Sequence, residues 1–177
     1  MMVIYFINNK VCKKRYQQLL CSKTVYKIIL INDGNSRFRT TCKSEGENTL
    51  YWDPSASIKC ENGTILPPFL VLDHEFGHME RADNVYRLKS SMDKLYKEYK
   101  NLETNTNRDA YQKARDRYIA AYYSLIEDRG KGSDPIYGSK EERRNIENVE
   151  WVTARRFGII GENKVTRTSH RGTVVHP

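Results

Sequence analysis

The chain predicts an α+β fold, and three stretches of its 177 residues carry that expectation. The part before Ser55 is rich in short apolar runs broken by turn residues; residues 67–125 have helical periodicity; residues 139–156 repeat that periodicity more briefly. A sheet first and helices afterwards is the order of an α+β domain, not the strand–helix alternation that builds a parallel sheet. The length suits one domain, 1–177, with enough chain to bury a core.

Taken in order, residues 1–23 read as a basic N-terminal segment, loosely attached. Residues 25–31 (Val-Tyr-Lys-Ile-Ile-Leu-Ile) form a strand candidate, followed by the turn signal Asn32-Asp33-Gly34-Asn35. Residues 37–43 and 49–52 supply two more short strands, the second stopped by Asp53-Pro54. The economical arrangement is a small antiparallel sheet, a three-stranded meander, packed on the helix that follows. Pro67 and Pro68 suit that helix's first turn, and Phe69, Val71 and Leu72 can bury one of its sides. Further on, Val85, Leu88, Met92, Leu95, Tyr99 and Leu102 recur at spacings of three and four, as do Tyr111, Ala114, Tyr118, Ala121 and Leu125. Thr104-Asn105-Thr106-Asn107 separates the two runs, and Asn107 can cap the second. Residues 84–129 therefore read as an antiparallel αα-hairpin insert that closes over the core, its tyrosines on the seam or on an exposed face.

The chemistry is concentrated in His74-Glu75-Phe76-Gly77-His78. Residues four apart share one face of a helix, so both imidazoles can reach a single Zn²⁺, with Glu75 beside it as general base. Gly77 costs roughly 1 kcal/mol inside a helix relative to alanine, so close approach of another backbone segment is the expected reason for it. A zinc site needs a third protein ligand and an open position. Residues 139–156 offer one, on a helix capped by Ser139 with Glu142 at the capping-box position and an apolar stripe of Ile146, Val149 and Val152. Glu142 lies one turn before Ile146 and faces inward. A carboxylate on a buried face is costly unless paired or bound to a metal. Glu142 is therefore the first choice and Glu147 the second, while an N-cap role or an arginine ion pair is the alternative for Glu142. Asp73 and Asn145 are candidate partners for the outer nitrogens of the histidines.

Trp52-Asp53-Pro54, the histidine motif, Glu141-Glu142-Arg143-Arg144-Asn145-Ile146 and Arg167-Thr168-Ser169-His170 occur in an order that resembles the NleD-like zinc metallopeptidases. Those proteins are type III secretion effectors and C-terminal toxin domains of Rhs-type polymorphic proteins. The resemblance covers residues 50–172 in short blocks. It implies a zincin-like fold and a secreted virulence effector or toxin that hydrolyses an intracellular protein of the host or target cell, as a metalloprotease with one zinc per chain. Glu147-Asn148 resembles the family's Glu-Asn element but lies closer to the glutamate pair, and His170 stands where the family has tyrosine. In either form that position supplies an oxyanion donor. His170 is thus assigned as the transition-state donor and Arg167 as a substrate contact.

Composition bounds the alternatives. No apolar run approaches the roughly 18 residues that span a bilayer, and residues 3–7 are too short for a signal-peptide core, so no Sec signal is expected. Expected localisation is the target-cell cytoplasm after secretion, or otherwise the cell's own. Cys12, Cys21, Cys42 and Cys60 have no metal-ligand spacing and read as reduced thiols. Net charge is +8, and residues 1–60 hold Lys10, Lys13, Lys14, Arg15, Lys23, Lys27, Arg37, Arg39, Lys43 and Lys59 against four acids. Such a bias favours acidic partners, but no nucleic-acid motif accompanies it. A protein substrate is the expected partner, and a monomer the expected state. The competing reading is a basic helical binding module whose motif is not catalytic.

Overall fold

The structure is a computed structural model that describes residues 10–40, 48–103, 108–128, 133–169 and 171–176. Helix α1 spans Lys10–Leu20, followed by strands β1 (Tyr26–Leu30), β2 (Arg37–Arg39), β3 (Asn48–Trp52), β4 (Ser57–Cys60) and β5 (Ile65–Leu66). Helix α2 runs from Pro68 to Glu103 and α3 over Arg108–Asp128. Strands β6 (Ser133–Asp134) and β7 (Gly138–Ser139) lead into α4 (Lys140–Asn145), a π-helical turn (Ile146–Glu150), α5 (Trp151–Arg156) and the last strand, β8 (Gly172–Val175). The fold class is α+β.

Two compact units result, Met1–Glu80 with Gly132–Pro177, and Arg81–Lys131. In the first unit, α1 is part of the core and not a loosely attached arm. Cys12 and Leu19 pack with Leu50 and Trp52 of β3 and with Leu72, Phe76 and Met79 of α2. Arg15, counted above in the basic excess of residues 1–60, is buried and paired with Asp73 at 2.5 Å and Glu80 at 3.0 Å. Apolar periodicity was too weak in a lysine-rich helix to reveal this, because only one narrow side is covered.

The first sheet is mixed, which corrects the expected meander. β3 is central, parallel to β1 and antiparallel to β2. The turn after β1 does not close a hairpin because Asp53 captures it. The Asp53 carboxylate accepts the N–H of Gly34, which has φ +72°, and the Asp53 N–H donates to the Ser36 hydroxyl. That places β2 on the far side of β3 from β1. A second sheet, order β5-β4-β8, is antiparallel and borders a second apolar cluster of Cys60, Leu66, Leu70, Val71, Ala154 and Ile160. The N-terminal turns of α2 therefore carry apolar side chains into both clusters. Trp52 Nε1 donates to the Pro68 carbonyl at 3.0 Å and fixes where that helix begins.

The second unit holds the helical hairpin. Its first arm is not a separate helix; it continues α2 from the histidine motif without a break, so Pro68–Glu103 is one 36-residue helix. The connecting residues 104–107, including Asn107, lie outside the described residues. Ala114 is buried on the seam, and Tyr96, Tyr99, Tyr111 and Tyr118 pack ring against ring across it, with the Tyr111 and Tyr99 hydroxyls 2.9 Å apart. These four tyrosines belong to the seam, although Tyr96 keeps one edge in solvent. Among the described residues no helix is long and apolar enough to cross a membrane.

Candidate metal centre

With Leu72, Phe76 and Met79 in one apolar cluster and Leu70 and Val71 in the other, the remaining side of α2 presents His74, Gly77 and His78. That side faces the segment from α4 to α5. Ser139 caps α4 by accepting the Glu142 N–H at 3.0 Å, while the Glu142 side chain turns to the histidines. Gly77 is required by a side chain, not by the backbone segment expected from the sequence. A Cβ there would overlap Asn145 Oδ1 and stand 2.9 Å from Val149 Cγ2. Asn145 uses its amide to bind the His74 carbonyl at 2.8 Å, so it ties two segments together and leaves the imidazoles alone.

Glu142 bridges the two rings. Its Oε1 lies 3.3 Å from His74 Nε2 and its Oε2 3.1 Å from His78 Nε2, and the two Nε2 atoms are 3.2 Å apart. One ligand atom from each of the three residues falls within 4.8 Å of the other two, so the group could hold a metal ion. Two imidazoles and one carboxylate form a set suited to a divalent ion with an open fourth position. Glu147, the second choice for the ligand, instead pairs with Arg143 at 2.9 Å on the surface.

Both outer nitrogens face carboxylates, the usual arrangement for ligating histidines. His78 Nδ1 is 2.6 Å from Glu141 and His74 Nδ1 is 3.1 Å from Glu150. Asp73, proposed for such a role, points away to Arg15 and Thr153. Glu150 is the residue that sequence reasoning missed. In an uninterrupted α-helix, eight residues at about 100° each would leave it roughly 80° round from Glu142. The wider π-turn takes out rotation and returns both carboxylates to one side. One signal was available: Glu150 lies one turn after Ile146, on the same apolar stripe that singled out Glu142.

Arg167 is also placed differently from its expected role. It is buried and binds both oxygens of Glu150, at 3.1 and 2.7 Å, with the Thr166 hydroxyl on the same carboxylate. The guanidinium holds the group behind His74, and its Nη2 also lies 3.5 Å from Glu142 and 3.3 Å from His74 Nδ1, at the rim of the same cluster. His170 lies outside the described residues.

The electrostatics follow from this crowding. Burial opposes charge on His74, yet hydrogen bonds to Glu142 and Glu150 outweigh it and raise the imidazole to about 9. His78 is likewise disfavoured by burial but raised to about 10 by Glu141 and Glu142. Burial would raise Glu150, but His74, Arg167 and Thr166 together hold it below the ordinary carboxylate range. Glu75 shifts the other way, because burial dominates the nearby histidines and the Phe38 N–H. Its Oε2 accepts that N–H from β2 at 2.7 Å, and Oε1 has no hydrogen-bond partner among the described residues.

Comparison with protein-family models, curated proteins and solved structures finds no match, so the functional reading rests on the residues themselves.

Proposed function

We propose that the chain is a zinc-dependent endopeptidase of zincin-like architecture, holding one Zn²⁺ through His74, His78 and Glu142. The observation that supports this best is convergent: three ligand groups from segments more than sixty residues apart meet at one point, and each imidazole has a carboxylate at its outer nitrogen. When bound, the ion supplies Lewis acidity that lowers the pKa of water toward ~7 and polarises a carbonyl oxygen. Glu75 is the proton carrier: Oε1 takes the proton of the attacking water and returns it to the leaving amine, while Oε2 stays anchored to the Phe38 N–H. Its raised pKa moves it toward neutral pH, where a general base is most effective. With Arg167 committed to Glu150, His170 remains our choice for the oxyanion donor. The resemblance in the sequence makes a secreted effector or toxin, acting on an intracellular protein of a target cell, the proposed biological setting.

The test pairs metal content with proteolysis. Protein purified without chelators or a histidine tag should carry about one zinc per chain, and His78→Ala should lose it. Glu75→Gln should keep the zinc and lose roughly 10²–10⁴-fold in peptide hydrolysis. Zinc-replete wild type that cuts a mixed peptide library no faster than Glu75→Gln would sink the proposal in favour of a basic binding module.

A further inference from the structure

Strand β2 lies at an edge of its sheet, paired among the described residues only with β3. Its middle residue, Phe38, packs against the first apolar cluster and gives its N–H to Glu75. Side chains alternate along a strand, so Arg37 and Arg39 share the opposite face. There both guanidiniums lie over the ring of Tyr51, 4.7 and 5.9 Å from its centroid. The ring attracts each cation but neutralises neither. Arg37 has Asp33 at 3.7 Å, with half of that side chain in solvent, and its buried Nε has no hydrogen-bond partner. Arg39 is exposed and pairs with no carboxylate among the described residues. Two like charges are therefore held on one aromatic platform, one strand residue either side of the group that anchors Glu75, a spacing of roughly 3.3 Å along the chain.

We propose that Arg37 and Arg39 form a subsite for an anionic side chain, carboxylate or phosphate, on an extended peptide whose cut bond lies within about two residues of it. The inference rests on the peptidase reading given above. A guanidinium binds either anion; Arg37 is held by the Asn35 carbonyl at 2.6 Å and the Tyr51 ring, which leaves exposed Arg39 as the freer of the two donors. An extended peptide passing Glu75 presents alternate side chains to the same face, so one acidic residue can reach this pair without taking the Phe38 N–H, which Glu75 already holds. The net charge of +8 steers such a segment toward the protein.

The test uses zinc-loaded protein and a positional-scanning decapeptide library that includes phosphoserine. Cleavage should concentrate on peptides with Asp, Glu or phosphoserine at one position near the cut, and the faster of the Glu and phosphoserine series identifies the anion. Arg39→Gln should lower the ratio of acidic over neutral cleavage roughly tenfold or more. Arg39→Glu should move the preference to Lys. Cleavage without acidic preference, or with a preference unchanged in both variants, overturns the subsite. A library left uncut by wild type is a failure of the peptidase reading instead. The subsite is then decided by fluorescence anisotropy with labelled Gly-Glu and Gly-Gln repeat peptides. Selective binding of the acidic repeat that disappears in Arg39→Gln supports it, and equal binding of the two overturns it.

Discussion

The two histidines carry the same chemistry in different surroundings. Behind His74, Glu150 has a side chain only 1% exposed and is held by Arg167 and Thr166. Behind His78, Glu141 has a side chain 32% exposed, at the start of α4. One carboxylate is fixed in a dry network, whereas the other stands in partial contact with water. Charge pairs gain little at a surface because water screens them, but a buried pair cannot lose one member without leaving the other stranded. The two sides should therefore respond very differently to the same mutation, although both partners hold a ring nitrogen at hydrogen-bond distance.

The largest effect is expected at Glu150. Glu150→Gln removes the negative charge that Arg167 is buried against, and breaking such a pair costs about 3–5 kcal/mol. It also loosens His74, and removal of a partner behind a ligand typically lowers metal affinity about 10–100-fold. Urea unfolding in chelator measures the first effect, and competition with a zinc-binding dye measures the second. The comparison breaks if Glu150→Gln is no more damaging than the matching change at Glu141. Arg167→Ala should produce the same loss of stability from the other side of the pair.

That asymmetry was only half legible in the sequence. His74, Glu75 and His78 stand out because helical spacing is a local rule, readable without knowing the fold. Glu142 could be selected because a carboxylate on an apolar stripe needs a partner. Glu150 obeys the same rule but reaches the side of Glu142 only through the π-turn, and nothing local in Ile146-Glu147-Asn148-Val149-Glu150 announces that the helix will widen there. Arg167 was hidden for a related reason: its segment has few apolar residues, so its burial depends on a long-range ion pair and not on hydrophobicity. Strand positions were readable near β1, β2 and β3, but the parallel pairing of β1 with β3, residues more than twenty apart, is a long-range choice that no local pattern announces. Strands β4, β5 and β8 were missed because they are short and lack alternation. The motif helix and the first hairpin arm were read as two elements, yet both lie in the one helix Pro68–Glu103.

Protonation gives a second, intermediate contrast. In chelated protein both rings titrate above their ordinary value of 6.5, near 9 for His74 and near 10 for His78. A folded-state pKa raised in this way contributes stability that is complete below the unfolded value and is lost as pH rises through the folded one. Chelated protein should therefore lose this contribution as pH climbs from 6.5 through about 9 and 10. Zinc reverses the trend, because both imidazoles must give up protons to ligate it. Affinity should rise roughly tenfold per pH unit for each proton displaced. Melting curves at pH 6 and 8, with chelator and with zinc, check both signs. A zinc stabilisation that shrinks between those two pH values would contradict the assignment of the rings as ligands.

The smallest effect is expected where water already shares the load. Glu141→Gln leaves an amide oxygen able to accept the His78 Nδ1 proton, and no buried cation is stranded, since His78 keeps Glu142 on its other nitrogen. The stability cost should stay within about 1 kcal/mol, the ordinary range for a screened pair. Zinc affinity should fall by a smaller factor than in Glu150→Gln, because no buried guanidinium is left unpaired beside the ring. The pair of variants is informative because both substitutions are isosteric and both touch a carboxylate behind a ligand histidine. If Glu141→Gln matched Glu150→Gln in stability and in zinc affinity, burial would not be what separates the two sides. The hydrogen bond itself, equally present at both, would then be the dominant contribution.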